Sequence, residues 1–462
     1  MKRLPPCPLS PPKRPATASL RGALPLFVHI WASIVANRLS FSLNEHRYSL
    51  FEKGSVVDQG DQPPLAGIRV LELGSFIAAP FATRIFADFG AEVVKIERPG
   101  TGDELRGWRR SRGGTSMMFR TIARNKRSVT VDLSTGEGRD IVLGLVRHCD
   151  VVVENFRPGT LERLQLGSDE LTAANADVVL VRISGYGQTG PYRDRAGFGG
   201  VAEAFGGLRH VTGHPDREPV RPAAPVGDAL AGLYGAIGAL MLLLAKARGR
   251  PHEGPRVADV ALYESVFMAM ESLVPDYDAY GVIRRRTAGN LPGVVPSGIY
   301  PTRGGGSVII AGNSSGVFGR LMTAVGRPDL GADPTLADGS ARDAREPELN
   351  GAITAWTARH TAAEAVDLLS RAGVPAGPIY DAADIADDEH YRARDMLRPH
   401  KVSVDGEPEE IRFPGVVPRV PGAPGDVRWA GPELGAHTDQ VLGELLGYSA
   451  GRLGELRAMK VI

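Results

Sequence analysis

Short apolar runs alternate with segments of helical periodicity through much of the chain, and this alternation constrains the fold most. Strands are predicted at 68–73, 92–97, 128–133, 150–154, 177–184 and 256–262, with helices at 78–89, 136–148, 160–166 and 229–247 among them. Parallel strands need long crossover connections, which helices usually supply. The run VVV at 151–153 is apolar throughout, which is typical of a strand covered on both faces. The sequence therefore predicts an α/β fold with a doubly wound parallel sheet.

A second, smaller unit is predicted after the arginines at 284–286. Two strands, at 298–301 and 307–311, flank the glycines at 304–306, which we interpret as a hairpin turn. A helix is predicted at 264–280, before these arginines, and helices at 316–325, 346–357 and 362–372 complete the second unit. A proline-rich extended segment at 399–424 and a helical pair at 438–459 follow. A chain of 462 residues is too long for one hydrophobic core, so two or more domains are expected.

The first residues have a different composition. Positions 1–44 contain no acidic residue and six basic ones, and the apolar run at 23–36 is too short to span a bilayer. We interpret 1–62 as a disordered or targeting extension. The protein is expected in the cytoplasm, or in the mitochondrial matrix if residues 1–60 are a transit peptide.

Composition excludes several classes of function. The formal net charge is +1, so neither nucleic acid nor an anionic membrane is an expected partner. With only Cys7 and Cys149, a disulfide framework and a cysteine-rich metal site are both excluded. The histidines show no metal-ligand spacing, so no metal site is predicted. The glycine fingerprint of a dinucleotide fold is incomplete in the turn after the first strand, and there is neither a phosphate-binding loop nor a nucleophile elbow.

One acidic residue stands out by its position. Gly227-Asp228 comes directly before the predicted apolar helix, where a carboxylate would face unsatisfied backbone N–H groups and the positive end of the helix dipole. From position alone a helix N-cap is the more common role, so a catalytic role needs further support.

That support comes from eight strings that occur in order along the chain. They are PLAGIRVLEL (64–73), AP (79–80), GAEVVKIERPGTGD (90–103), NKRS (125–128), VENFRPG (153–159), SGYGQTGP (184–191), GD (227–228) and LGAHTD (434–439). Together they resemble family III CoA-transferases, which include the formyl-CoA, carnitine and bile-acid CoA-transferases and related acyl-CoA racemases.

The resemblance implies a mechanism in which Asp228 is the catalytic nucleophile. Its carboxylate would attack an acyl-CoA thioester, form a mixed anhydride, and then carry CoA as an aspartyl thioester until an acceptor acid takes it. No permanently bound cofactor is expected, since coenzyme A and acyl-CoA are substrates. The same resemblance assigns CoA contacts to matching positions. These are Arg98, Lys126, Asn155, Phe156 and Arg163.

Departures from the family pattern argue against two of the reactions that the family carries out. Formyl-CoA transferases have glutamine where this chain has Ile77, and a tyrosine-glutamate pair at Phe198-Gly199, so oxalate is not the expected substrate. The racemases have a histidine at the position of Phe198. Racemisation needs acid/base groups on both faces of the α-carbon, so loss of one argues against it.

The resemblance also implies an architecture. We expect a Rossmann-like large domain (63–285 and the return segment 399–462), a small α/β domain (286–398), and an interlocked homodimer. The function expected is transfer of CoA from an acyl-CoA donor to a free carboxylic acid, with a short dicarboxylate such as succinate as the expected acceptor. Two alternatives stay open: an acyl-CoA racemase or isomerase on the same scaffold, and a non-catalytic acyl-CoA-binding relative.

Overall fold

Six strands form one parallel sheet in the order β3-β2-β1-β4-β5-β6. The strands are β1 (Arg69–Glu72), β2 (Glu92–Glu97), β3 (Lys126–Thr130), β4 (Val151–Glu154), β5 (Val179–Ser184) and β6 (Arg256–Ala261). The computed structural model describes residues 62–462 apart from 110, 113 and 292, so the predicted N-terminal extension lies almost entirely outside the described residues. This strand order is that of a dinucleotide-binding fold and confirms the predicted Rossmann-like sheet.

Helices cover both faces of this sheet, as the apolar strands predict. Up to the last sheet strand, the helices are α1 (Ala78–Asp88), α2 (Met117–Ile122), α3 (Gly136–Val146), α4 (Thr160–Arg163), α5 (Ser168–Ala174), α6 (Gly199–Phe205), α7 (Leu208–Val211) and α8 (Val226–Ala247). One-turn 3₁₀ helix Glu104–Gly107 and the short strands Ser111–Arg112 and Thr115–Ser116 follow β2. Alternate strand residues point to opposite faces, so Val70 packs in one core and Leu71 in the other.

The two cores contain different helices. One core combines α1 and α8 with Val70, Val93, Val151 and Val181 of the sheet. The helices α8 and α1 approach closely at Gly232, where a Cβ atom would lie 2.8 Å from the carbonyl oxygen of Ala78. The side chain of any larger residue there would force these helices apart.

The chain after β6 adds the remaining helices and strands, and the last two helices complete the other core. After β6 the structure has α9 (Leu262–Met268), α10 (Leu273–Tyr280), strands β7 (Ser297–Pro301) and β8 (Ser307–Ala311), helices α11 (Ser315–Ala324), α12 (Pro328–Gly331), α13 (Gly339–Ala344), α14 (Glu346–Thr357) and α15 (Ala362–Arg371), β9 (Ala376–Pro378), α16 (Ala382–Asp387), α17 (Glu389–Ala393), β10 (Leu397–Val404), β11 (Glu407–Pro414), α18 (Thr438–Leu446) and α19 (Ala450–Ala458), with a 3₁₀ turn at Pro334–Leu336. From α18 and α19, Val441 and Leu456 pack with α3 and the sheet.

A third core lies under the antiparallel sheet β9-β8-β7 and contains residues between Val295 and Val374. The glycines at 304–306 connect the paired strands β7 and β8, which confirms the predicted hairpin. The domain boundaries at 285/286 and 398/399 stay predictions.

One predicted helix is wrong, and one predicted extended segment is incomplete. The helix predicted at 264–280 is two helices, α9 and α10, and Glu271 between them has a φ of 53°. The segment predicted to be extended at 399–424 begins with the antiparallel hairpin β10–β11. Within the described residues, α8 is the one helix long and apolar enough to cross a membrane by length and composition, yet it packs on α1 and the sheet.

Candidate active site

The carboxyl ends of β1, β2, β3 and β4 open into a cleft of about 470 Å³, which we call the strand-end cleft. In folds of this class, ligands bind in the crevice beyond the carboxyl ends of the strands. The cleft is lined by Leu73, Ser75, Ile96, Glu97, Arg98, Gly102, Asp103, Glu104, Val131, Asp132, Leu133, Ser134, Phe156, Thr160 and Leu164. It offers apolar walls for a ring system and polar groups at its edge.

Two of the predicted CoA contacts line this cleft, and a third lies at its rim. Arg98 and Phe156 are lining residues. Arg163, one turn along α4 from the lining residue Thr160, is exposed and donates to the Thr160 Oγ1 at 2.9 Å. The structure therefore brings Arg98, Phe156 and Arg163 to one region of the surface.

Lys126 does not lie in the cleft. Its side chain is fully buried, and its Nζ donates to the Glu72 Oε2 at 2.7 Å and to the carbonyl oxygen of Pro80 at 2.7 Å. A phosphate could not reach this ammonium without breaking a buried ion pair. The interpretation of Lys126 as a phosphate contact is therefore not supported by the structure, because β3 turns this side chain into the protein.

Lys126 belongs to a buried charge network beneath the loop at 74–77. Its members are Glu72, Lys95, Glu97, Asp103, Arg106 and Lys126, three carboxylates and three cations. The Lys95 Nζ lies 2.7 Å from Glu72 and 2.8 Å from Asp103, and Arg106 pairs with Glu97 at 2.7 Å. Although burial alone would raise the pKa of Glu72, Lys126 and Lys95 hold it at about 2.

The network and Asn155 together fix the loop at 74–77. The Asn155 side chain accepts from the backbone N–H of Ser75 at 2.9 Å and donates to the Ser75 carbonyl oxygen at 2.8 Å. Asp103 accepts from the backbone N–H of Phe76 at 3.0 Å, and Phe76 has a φ of 62°, which non-glycine residues rarely adopt. Asn155, predicted to contact CoA, thus holds this loop through its side-chain amide.

Asp228 lines a smaller pocket of about 160 Å³, the Asp228 pocket. It is lined by Phe76, Ile77, Ala78, Asn155, Phe156, Arg157, Pro158, Ile183, Ser184, Gly185, Arg195, Gly197, Phe198, Gly199, Asp228 and Leu262. Phe156 lines both this pocket and the strand-end cleft. The two spaces are therefore neighbours on either side of one side chain.

Asp228 lies inside the first turn of α8 and is not its N-cap. The helix begins at Val226 with Pro225 as N-cap residue, which makes no side-chain capping bond. The carboxylate lies against Gly199, because a Cβ built there would be 2.1 Å from the Asp228 Oδ2. Burial raises the pKa of Asp228 to about 6, the charge of Glu203 acts in the same direction, and Arg221 opposes it.

Aromatic rings cover one side of this pocket. The rings of Phe76, Trp108 and Phe198 lie 5.2 to 6.1 Å apart between centroids in tilted or edge-to-face arrangements, which such rings prefer. Phe76, Ile77 and Phe198 line the pocket as an apolar wall, and Trp108 packs against the two phenylalanines. Phe198 is 47% exposed.

Sequence reasoning missed several of these residues. Val131 to Ser134 line the strand-end cleft because they follow β3, and the carboxyl end of a predicted parallel strand is a signal that could have identified them. Trp108 and Glu203 carry no local signal, since Trp108 packs against Phe76 and Phe198 from the segment after β2, and Glu203 comes from α6.

A larger apolar cavity of about 1080 Å³ lies on the other side of Ile77. Its wall includes Phe81, Met118 and Leu233. Beyond it, α8 exposes an apolar face to solvent, formed by Leu233, Tyr234, Ile237, Leu240, Met241 and Leu244. Exposed apolar patches of this kind commonly mark interaction surfaces.

Comparison with known proteins gives one consistent result. The model of the family described as CoA-transferase family III matches residues 65–438. The chain is 46% identical over 401 residues to a succinyl-CoA–D-citramalate CoA-transferase of Chloroflexus aurantiacus, covering 86% of this chain and 98% of the relative. It is 33% identical to a mouse succinyl-CoA:glutarate CoA-transferase, covering 88% of this chain and 92% of the relative.

The solved structures agree. A CAIB/BAIF family protein from Brucella suis matches with a TM-score of 0.71 and 32% identity, covering 83% of this chain and all of that one. A Mycobacterium tuberculosis protein, Rv3272, matches with a TM-score of 0.70 and 28% identity, covering 82% of this chain and 99% of that one.

Proposed function

The chain belongs to CoA-transferase family III, and from that premise we propose that it moves CoA from a donor such as succinyl-CoA to a short dicarboxylic acid through a covalent adduct on Asp228. The observation that carries the proposal is the shared wall at Phe156. A CoA whose nucleotide lies in the strand-end cleft beside Arg98 would have its thioester end directed towards the Asp228 pocket.

In each step of the reaction an acyl group moves between the CoA sulfur and a carboxylate oxygen, so each bond that forms replaces one that breaks. An Asp228 carboxylate oxygen attacks the thioester carbonyl, the C–S bond breaks, and a mixed anhydride forms as CoA thiolate leaves. The thiolate then attacks the aspartyl carbonyl, so the donor acid departs as its carboxylate and an aspartyl-CoA thioester remains. The acceptor carboxylate reverses these steps and leaves as the new acyl-CoA.

The environment of Asp228 suits a nucleophile of this kind. A carboxylate with a pKa of about 6 is still mostly ionised at neutral pH. Its anion is higher in free energy than that of an exposed carboxylate, because burial disfavours the charged form. Asp228 lies in the first turn of α8, which gives the site the positive end of a helix dipole. Such fixed dipoles stabilise the oxyanions of acyl transfer.

A short dicarboxylate is supported by two observations. The relatives named above act on succinyl-CoA with D-citramalate or glutarate. The Asp228 pocket is small, and the guanidinium-bearing residues Arg157 and Arg195 line it. Arginine pairs well with carboxylates, so this lining favours an acid with a second anionic group.

We also propose that two copies of the chain associate through the exposed apolar face of α8. The face continues into the cavity lined by Leu233. Only 28% of the most apolar part of α8 is buried within one chain. Covering such a surface with a second copy would remove it from water. An interlocked arrangement of the two copies stays a proposal.

The covalent mechanism can be tested directly. Purified protein is incubated with succinyl-CoA and a panel of acids, and the new acyl-CoA is measured by mass spectrometry. Hydroxylamine trapping followed by peptide mapping should find an adduct on the Asp228 peptide of the wild type and none in Asp228→Asn. Asp169→Asn is the matched control, because Asp169 is an exposed aspartate in the first turn of α5. Full transfer by Asp228→Asn would refute the nucleophile.

A further inference from the structure

A second carboxylate, that of Glu203, lies against Gly227, the residue before Asp228, where α6 packs on the start of α8. Its side chain is only 1% exposed. The Glu203 Oε2 accepts from the Nε and Nη2 of Arg209 at 3.0 and 2.8 Å, and the Oε1 accepts from the backbone N–H of Gly227 at 3.4 Å. Glu203 is thus held on one side by a cation and bonded on the other to the residue that precedes Asp228.

Gly227 also packs directly on this glutamate. A Cβ built at Gly227 would lie 3.2 Å from the Glu203 Cγ, so the start of α8 and α6 are in close contact. The same helix α6 begins with Gly199, against which the Asp228 carboxylate lies. One helix therefore supplies both the close backbone contact and the nearby negative charge.

The charged groups around Asp228 differ in how strongly water screens them. Glu203 faces it from α6 and is buried, whereas Arg221, from the loop before α8, is exposed. Arg157 and Arg195 line the same pocket and are also exposed. Buried charges are screened less than exposed ones, so the repulsion from Glu203 is felt most.

We propose that Glu203 is a positioning residue that promotes acylation of Asp228, because it holds a negative charge beside a carboxylate that becomes neutral when it is acylated. The proposal rests on the function proposed above. When the Asp228 oxygen bonds to the acyl carbon and the C–S bond breaks, the negative charge leaves with the CoA thiolate and no proton is consumed. Acylation therefore removes one of two facing anions and relieves their repulsion.

Arg209 explains how the glutamate can stay charged in this position. A buried carboxylate is stable as an anion only when it is paired and hydrogen-bonded. The two bonds from the Arg209 guanidinium meet one oxygen of Glu203, while the other oxygen is directed to Gly227 at the base of the nucleophile's helix turn. Arg209 thus satisfies Glu203 as an anion and weakens its repulsion of Asp228 without removing it, since Glu203 still raises the pKa of Asp228.

The test compares variants that separate charge from shape. Glu203→Gln removes the charge and keeps an oxygen that accepts from Arg209, whereas Glu203→Asp keeps the charge on a shorter side chain. Glu264→Gln is the control, because Glu264 is an exposed glutamate on the neighbouring helix α9. For each full-length protein, kcat is measured against pH, and the fraction of enzyme trapped by hydroxylamine with succinyl-CoA is measured at about pH 8.

We expect Glu203→Gln to move the acid limb of kcat to lower pH by about half a pH unit or more, because the Asp228 anion is no longer destabilised by a neighbour. The same change should lower the trapped fraction about three- to tenfold. Glu203→Asp and Glu264→Gln should keep the wild-type acid limb. Thermal melting of each variant checks that it is folded.

Two results would overturn the inference. One is a Glu203→Gln enzyme with the wild-type acid limb and trapped fraction. The other is an Asp variant as impaired as the Gln variant with no movement of the limb, which would indicate a purely structural role. If instead the wild type forms no adduct, the proposed function fails, and that outcome is distinct because it does not involve Glu203.

Discussion

The geometry around Asp228 depends on the absence of one methyl group. Its carboxylate occupies the space that a side chain at Gly199 would take, and the φ of Gly199 is not in the left-handed region. The glycine is therefore needed for its size and not for its backbone conformation. Its role can be tested separately from folding, since alanine can adopt the same backbone.

We expect Gly199→Ala to reduce kcat about 100-fold, because a reacting group displaced by an ångström loses that much rate. The KM for the CoA thioester should change little, since the strand-end cleft does not include Gly199. Gly351→Ala is the control, because this glycine lies in α14 and a Cβ there would meet nothing within 4 Å. Steady-state kinetics decide the matter, and equal losses in both variants would contradict the steric explanation.

Stability should depend on pH through Asp228 with a definite sign. Folding raises its pKa from 3.8 to about 6, so the charged form is disfavoured in the folded state. Well below pH 3.8 the group is neutral in both states. The destabilisation grows as the pH rises from 3.8 to about 6 and then levels off at about 3 kcal/mol at most. Asp228→Asn removes it, so the variant should melt higher than wild type at pH 8, and the difference should shrink as the pH falls towards 4. A wild-type protein that melts higher than Asp228→Asn at pH 8 would contradict this prediction.

Single residues differed in how far the sequence identified them. Asp228 and Phe156 lie in short strings that resemble the family, and the structure places both in the lining of the Asp228 pocket, while the roles predicted for them stay predictions. Lys126 lies in an equally good string, but its side chain takes the buried side of β3, and a one-residue alternation decides that direction. Glu203 acts on Asp228 only because α6 and α8 pack together, a contact that no local pattern records.

At the scale of elements, the loop at 74–77 depends on ions placed beneath it. Phe76 keeps an unfavourable backbone conformation because Asp103 binds its N–H, and Asp103 is in turn paired with Lys95. A residue held in a strained conformation by its surroundings is typical of functional sites. The aromatic wall beside Asp228 therefore depends on a buried ion pair beneath the loop, and Asp103 of that pair also lines the strand-end cleft.

We expect Lys126→Met to destabilise the protein by about 3–5 kcal/mol, since it leaves Glu72 with less compensation in a dry environment. Arg127→Met is the neighbouring control; its partners Glu92 and Glu444 are partly exposed, so about 1 kcal/mol or less is expected. Urea unfolding measures both. A Lys126→Met protein of normal stability with a raised KM for the CoA thioester would instead support a phosphate contact.

Elements with a long stretch of regular residue pattern were predicted well. Elements whose ends depend on the backbone angles of one or two residues were predicted poorly. The strand at 92–97 and the helix at 346–357 agree with β2 and α14. The hairpin β10–β11 was missed although Asp405-Gly406, both with positive φ, forms the tight turn typical of such connections. Its prolines suggested an extended segment instead.

At the scale of the whole molecule, the order β3-β2-β1-β4-β5-β6 explains why the site lies where it does. The strands run parallel, so their carboxyl ends meet at one edge, and α8 returns its first turn to the same edge. Alternation of strands and helices was enough to predict the parallel sheet. The packing of α18 and α19 on that sheet, from the far end of the chain, depends on long-range contacts.

The association proposed for α8 predicts an effect on molecular mass. Met241 is 66% exposed on the apolar face of this helix, and Met241→Glu should shift a dimer towards monomer in sedimentation velocity, because a charge would be buried at the contact. Met459→Glu, at an exposed methionine after α19, should leave the mass unchanged. A monomeric wild type, or a Met241→Glu protein with the wild-type mass, would refute this interface.

The buried charge network also limits how this protein can diverge. Its three cations and three carboxylates sum to zero, and each is within 3 Å of a partner. Substitution of one member leaves its partner as a buried charge without a counter-charge, whereas replacing both members of a pair by apolar residues can be tolerated. Lineages should therefore change these positions in concert or keep them, even though none of the six is predicted to carry out chemistry. Co-variation at Glu72 and Lys126 would be an evolutionary trace of electroneutrality, not of catalysis.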